Sequence, residues 1–125
     1  MKHHIQIQEK FALIHVSGTA GPSGFSATAV ALLALPEWKP NMNILIDYSD
    51  LNLSNVTTRD VDILAQSLAP HREQMGSGFC AIVNTKPLDF GLGRIWQVYM
   101  EEYTDLRVTV FYDMDEAKSW LQSIN

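Results

Sequence analysis

Few side chains in this sequence are placed to do chemistry. Cys80 is the sole cysteine and sits inside the apolar run Phe79-Cys80-Ala81-Ile82-Val83. A thiol becomes a nucleophile where a base or positive charge favours the thiolate. That run supplies neither, so Cys80 is expected to be buried and inert. His3, His4, His15 and His71 show no ligand spacing of the His-Glu-x-x-His kind, and no metal site is expected. No catalytic residue is assigned, and neither enzymatic chemistry nor a cofactor is expected. Gly91-x-Gly93 starts like a dinucleotide loop, but Trp96 occupies the place of the third glycine. The two glycines are instead expected to let a helix pack close to a sheet. Arg94 beside them is expected to make a surface salt bridge, with anion binding at a helix N-terminus as the alternative.

The remaining candidates are a set of carboxylate and amide side chains and an apolar stretch. Asp47, Asn84 and Asp113 each follow an apolar run and are expected at the carboxyl edge of a sheet, where open α/β sheets bind ligands. Asp113 reads as a helix N-cap, and Asp47 and Asp50 as acceptors for loop N–H groups. From Phe11 to Pro36 there is no Asp, Glu, Lys or Arg. Gly18, Gly21, Pro22 and Gly24 interrupt this stretch, and Phe25 to Leu35 is shorter than the roughly 20 residues of a membrane span. No transmembrane segment is therefore expected. A helix apolar on nearly all sides needs cover from the core, a partner chain or a ligand. Alternatively its alanines face solvent while Phe25, Val30 and Leu33 point inward. Trp96, Tyr99 and Tyr103 are many bulky aromatics for a small core, so some are expected to face this helix. Phe25, Leu32, Leu35, Trp38, Trp96, Tyr99 and Tyr103 are thus the candidate ligand-binding residues, for a small lipophilic molecule. The preceding glycines would let the helix move. Burial of the same helix in a homodimer is the competing expectation.

These residues need elements to hold them. Ile5 and Ile7 alternate with polar residues, and Phe11 to Val16 resumes after Glu9-Lys10, which predicts an antiparallel hairpin. Ser17 to Gly24 reads as a loop, followed by a helix over Phe25 to Leu35 capped by Ser23 or Ser26 and stopped before Pro36. Asn43 to Tyr48 reads as a strand covered on both faces. Thr57 with Asp60 forms a capping-box pattern, stapled by Val56 and Val61, before a helix that kinks or restarts at Pro70 and ends at Gly76. Phe79 to Val83 is a further strand. A third helix follows with Leu88, Leu92, Ile95, Trp96, Tyr99 and Tyr103 as its stripe. Leu106 to Tyr112 is the last strand, and Asp113 with Glu116 a second capping box opening the final helix. The order is β-β-α-β-α-β-α-β-α: an α/β fold with a mainly parallel five-stranded sheet behind an initial hairpin, and four helices.

A length of 125 residues fits one domain, 1–125. With 46% hydrophobic and 18% charged residues the composition is that of a globular protein. A formal net charge of -5 disfavours nucleic acid and anionic membranes as partners. The lone cysteine and an N-terminus without an apolar signal region make a cytoplasmic setting the expectation.

Three segments carry a resemblance. Val110-Phe111-Tyr112-Asp113-Met114-Asp115-Glu116-Ala117-Lys118-Ser119-Trp120-Leu121 resembles the closing strand-turn-helix of small bacterial STAS-like proteins with the SpoIIAA-like fold. Ile44-Leu45-Ile46-Asp47-Tyr48-Ser49-Asp50-Leu51 is similar to that family's central strand, and Phe90-Gly91-Leu92-Gly93-Arg94 to its small, glycine-containing helix start. The resemblance implies the fold, and with it a regulatory or protein-interaction role of the anti-sigma-antagonist kind. Those relatives carry Asp-Ser-Ser-Gly-Leu before the second helix, where a kinase modifies Ser. Here the region reads Asn55-Val56-Thr57-Thr58-Arg59-Asp60-Val61, leaving Thr57 and Thr58 as the nearest candidates for phosphorylation. A more distant similarity to lipid-exchanging CRAL-TRIO domains implies a lipophilic ligand by analogy.

Overall fold

The chain buries two kinds of apolar pattern, strand runs and helical stripes, and their alternation builds the architecture. The structure, a computed structural model, describes residues 1–124. Lys2–Ile7 (β1) and Ala12–Thr19 (β2) form the antiparallel hairpin, with Ile5 opposite Ile14 and Ile7 opposite Ala12. The Gln8 N–H donates to the Phe11 carbonyl at 2.9 Å and closes its turn. Pro22–Leu33 (α1), Ile44–Asn52 (β3), Thr58–Ser67 (α2), Arg72–Met75 (α3), Phe79–Val83 (β4), Pro87–Tyr103 (α4), Arg107–Phe111 (β5) and Met114–Gln122 (α5) follow in order. The strands lie in the order β1-β2-β3-β4-β5, and every pair after the first is parallel. This is the expected mainly parallel α/β sheet with four main helices. The single-turn α3 is the restart of the second helix. Pro70 interrupts it through the 3₁₀ turn Ala69–His71, and Gly76 at φ +79° lies just beyond.

The two faces of the sheet are covered unequally. Ile14, Val16, Ile44, Tyr48, Cys80, Ile82 and Val108 pack with Leu32, Leu33, Leu68 and Met100 from the helical side. On the other face Leu45, Ala81 and Val83 meet Ala117 and Leu121 of α5. Trp120 of α5 lies edge-on to Phe79 at 5.4 Å between ring centroids.

Several boundaries differ from expectation, each for a local reason. α1 begins at Pro22, not Phe25, and its N-cap is Gly21 without a side-chain bond, so neither Ser23 nor Ser26 caps it. Proline suits the first helical turn because its missing N–H would be unpaired there anyway. β2 and β3 both run past their apolar cores. After an irregularity between His15 and Ser17, residues Ser17 to Thr19 pair with Asp50 to Asn52. Asp47 therefore lies within β3 instead of at its end, and its Oδ1 accepts from the Ser49 N–H at 2.9 Å. Asp113 caps α5 by accepting from the Asp115 N–H at 2.9 Å; the bond runs to Asp115, not to Glu116. The stripe of α4 is also rotated. Leu88 is 88% exposed, while Gly93 and Met100 are buried.

The capping box of α2 is formed. Thr57 Oγ1 accepts from the Asp60 N–H at 3.1 Å, and Asp60 Oδ2 accepts from the Thr57 N–H at 3.0 Å. That N–H is the main cause holding the Asp60 carboxyl below its ordinary range. A carboxyl whose folded value is lowered contributes stability above its unfolded value, near pH 4, and loses it as pH falls through the folded value. Asp60→Ala should therefore lower the urea midpoint at pH 7. The gap to the native chain should narrow steadily below about pH 4; a gap constant with pH would contradict this.

Candidate functional site

Three helices share one face of the sheet, and where α1, α2 and α4 converge they do not fill the space beneath them. A cavity of about 30 Å³ lies between Phe25, Tyr48, Leu64, Ile82, Leu92 and Trp96, with Asn84 and Gly93 also in its wall. A second, of about 60 Å³, shares Phe25, Tyr48, Leu64 and Trp96 and runs under α1 past Ala29 and Leu32. Outside them a groove of about 350 Å³ is bounded by Asn52, Ser54, Lys86, Leu88 and Asp89. It shares Leu53, Val56 and Leu92 with the smaller cavity. The groove thus opens at the carboxyl end of β3 and just beyond β4.

An aromatic trio holds the roof. Phe25 meets Tyr48 edge-on at 5.9 Å and 84°, and lies tilted against Trp96 at 6.1 Å. Among the described residues, the titratable side chains lining the two inner cavities are Tyr48 and Cys80. Burial raises the Tyr48 phenol well above its ordinary range, and the nearby Cys80 adds to this. Burial alone pushes the Cys80 thiol up to about 12. Both groups are held protonated, and neither is poised as a base or nucleophile.

Asn84 follows β4 directly and is 2% exposed, its backbone N–H donating to the Phe111 carbonyl at 2.9 Å. Its Oδ1 has no protein partner, and neither does the buried Trp96 Nε1. A buried polar atom left unpaired costs about 1–3 kcal/mol. Gly93 explains how α4 comes so near. A Cβ there would stand 2.5 Å from Asn84 Nδ2 and 3.1 Å from Val110 Cγ1, whereas a Cβ at Gly91 would meet nothing within 4 Å. Only the second glycine serves close packing.

The candidate ligand residues fall in two groups. Phe25, Leu32 and Trp96 line the cavities. Leu35, Trp38, Tyr99 and Tyr103 do not. Leu35 is half-buried against the core, and Trp38 is a core residue whose Nε1 donates to the Gln74 carbonyl at 3.0 Å. Tyr99 is half-buried elsewhere on α4. The Tyr103 hydroxyl donates to Asp62 Oδ1 at 3.4 Å and ties α4 to α2. Sequence reasoning missed Tyr48 and Leu64 as cavity residues, whereas Asn84 stands directly after β4, at the sheet edge where it was expected. The alternation of Ile44, Ile46 and Tyr48 was the available signal for Tyr48. Thr57 and Thr58 are both exposed, and the Thr57 hydroxyl is engaged as the N-cap. Arg94 is exposed and makes no ion pair among the described residues; among them Arg72 pairs with Asp105 at 3.0 Å, and His15 Nε2 is hydrogen-bonded to Asp50 Oδ2 at 2.7 Å. Among the described residues no group of three or more His, Cys, Asp or Glu could hold a metal. No helix among them is long and apolar enough to cross a membrane.

Two measurements check this geometry. Gly93→Ala should destabilise the protein by about 1–3 kcal/mol through overpacking. Gly91→Ala should stabilise it by about 0.5–1 kcal/mol because alanine is the better helix former. Equal effects in urea unfolding would refute the assignment. Iodoacetamide at pH 8 should leave Cys80 unmodified until denaturant is added, read by intact mass.

No protein-family model and no curated protein matches the chain. Among solved structures it is similar to an uncharacterised protein of the DUF3478 family from Shewanella loihica PV-4, which has a SpoIIAA-like fold. The two are 20% identical, with a TM-score of 0.59, over 96% of this chain and 92% of that one. Strand order, hairpin and helix placement agree with that likeness, and the chain has the SpoIIAA-like fold.

Proposed function

We propose that this protein is a non-catalytic binding module that takes up a small lipophilic molecule beneath α1. The observation that carries this reading is the pair of adjoining cavities, walled almost wholly by hydrocarbon and roofed by a helix without a charged residue. Ligand pockets are typically apolar with a few placed polar groups. At about 30 and 60 Å³ the cavities are a closed form, smaller than such a ligand, so uptake requires α1 to lift. The helix has no side-chain cap, no ion pair and a glycine, Gly21, at its N-cap. The outer groove supplies a route inward past Leu53, Val56 and Leu92. Tyr48 and Cys80, both kept protonated by burial, support binding over catalysis.

Self-association through α1 and a phospho-switch draw less support. The outer side of α1 exposes Ala27 and Val30, and a few exposed apolar side chains require no partner to cover them. The Thr57 hydroxyl already has a structural role, and Thr58 stands on the surface beside it.

The fluorescent lipophile N-phenyl-1-naphthylamine should brighten on binding. Ala29→Trp, which fills the larger cavity, should weaken its binding at least about tenfold with helical circular dichroism retained. Freshly purified protein should release a lipophile on solvent extraction. No probe uptake, or uptake unaffected by Ala29→Trp, would sink the reading.

A further inference from the structure

The outward face of α4 carries an apolar row that the described residues leave largely uncovered. Leu88, Gly91, Ile95 and Val98 recur at the spacing of a single helix face. Gly93 and Met100, which are buried, lie on the opposite side of the helix. Leu88 is 88% exposed and Val98 is 65% exposed, while Ile95 is half-buried. A surface helix ordinarily turns charge to solvent on that side, and a contiguous apolar row there marks an interaction surface. Gly91 stands exposed within the row, where a Cβ would meet nothing within 4 Å. The helix thus gives up propensity at Gly91 without close packing in return from its own chain. A second helix laid along the row would supply that packing.

The charges at the two ends of the row say which helix fits. Lys86 is the N-cap of α4, whereas Glu101 and Glu102 stand in its last turn, which holds no basic residue. Carboxylates at that end oppose the helix dipole. None of the three makes an ion pair among the described residues. A second copy of α4 running antiparallel sets Glu101 and Glu102 of each chain beside Lys86 and the helix N-terminus of the other. A parallel copy would bring like charges together. The antiparallel register that uses the whole row sets Leu88 against Val98 of the other chain. It also sets Ile95 over Gly91, a large side chain where the small residue leaves room. Arg94 flanks the row near the two-fold axis and faces its own copy, so its long side chain must turn outward to water. Asp89 is half-buried and lies off the row.

We propose that this protein forms a two-fold dimer through α4, with the helices antiparallel and Ile95 of each chain seated over Gly91 of the other. Such a surface is self-complementary, as a closed pair of identical chains requires. The lipophilic-binding reading neither needs this dimer nor is needed by it. Sedimentation equilibrium is the test. The native chain should be dimeric at about 100 μM, the range of a modest interface. Gly91→Leu, which fills open space in the single chain, should weaken the dimer at least about tenfold with helical circular dichroism unchanged. Gly91→Ala should weaken it as well while stabilising the fold, an opposition that a purely structural glycine would not give. Lys86→Glu should weaken the dimer, and adding Glu101→Lys and Glu102→Lys should restore its affinity to within about threefold of native. A monomer at about 100 μM, a dimer indifferent to Gly91→Leu, or a charge reversal without rescue would overturn the proposal.

Discussion

Strand order governs everything else in this molecule. Because β2, β3, β4 and β5 are parallel and adjacent in sequence order, each connection between them must cross over the sheet. Crossovers of one hand fall on one side. Three helices thus compete for a single face while α5 alone serves the other. Helices that pack at preferred distances must here cover a twisted surface, and they leave a gap. The gap here opens above β3 and β4, the middle of the parallel strands, where Tyr48 and Ile82 point up into it.

That constraint also explains why the site is apolar. Its floor consists of strand residues selected to be covered, and its roof is α1, whose small residues and lack of charge suit a helix seated on other hydrocarbon. Asn84 departs from this rule. It stands at the end of β4, where a buried apolar side chain would be ordinary, and Gly93 gives up helix propensity to make room for it. The two positions depart from the local preference in complementary ways, Gly93 leaving the space that the Asn84 amide fills.

The order of elements was legible because each signal was local: the alternation of Ile5 and Ile7, the Thr57–Asp60 box, and the break at Pro70. The ends of β2 and β3 were not, since Ser17 to Thr19 and Asp50 to Asn52 become strand only by pairing with one another. Phe25, Leu32 and Trp96 could be picked out as large apolar residues in need of cover. Composition could not separate them from Trp38, whose indole bonds the Gln74 carbonyl in the core. Nor could it distinguish Gly91 from Gly93, because the difference lies in Asn84 and Val110, which approach from other elements. A fully apolar run such as Phe79 to Val83 also hides which of its residues face which side.

The lone helix on the second face sets an order of events as well as a shape. Phe11, Leu45, Ala81 and Val83 come from β4 and earlier, yet the side chains that seal them, Ala117 and Leu121, belong to the last element in chain order. As the polypeptide leaves the ribosome, the hairpin and the first crossovers can assemble while this hydrocarbon surface is still bare. During that interval the nascent sheet is sticky on one side, and a chaperone would have that side to hold until α5 emerges and docks.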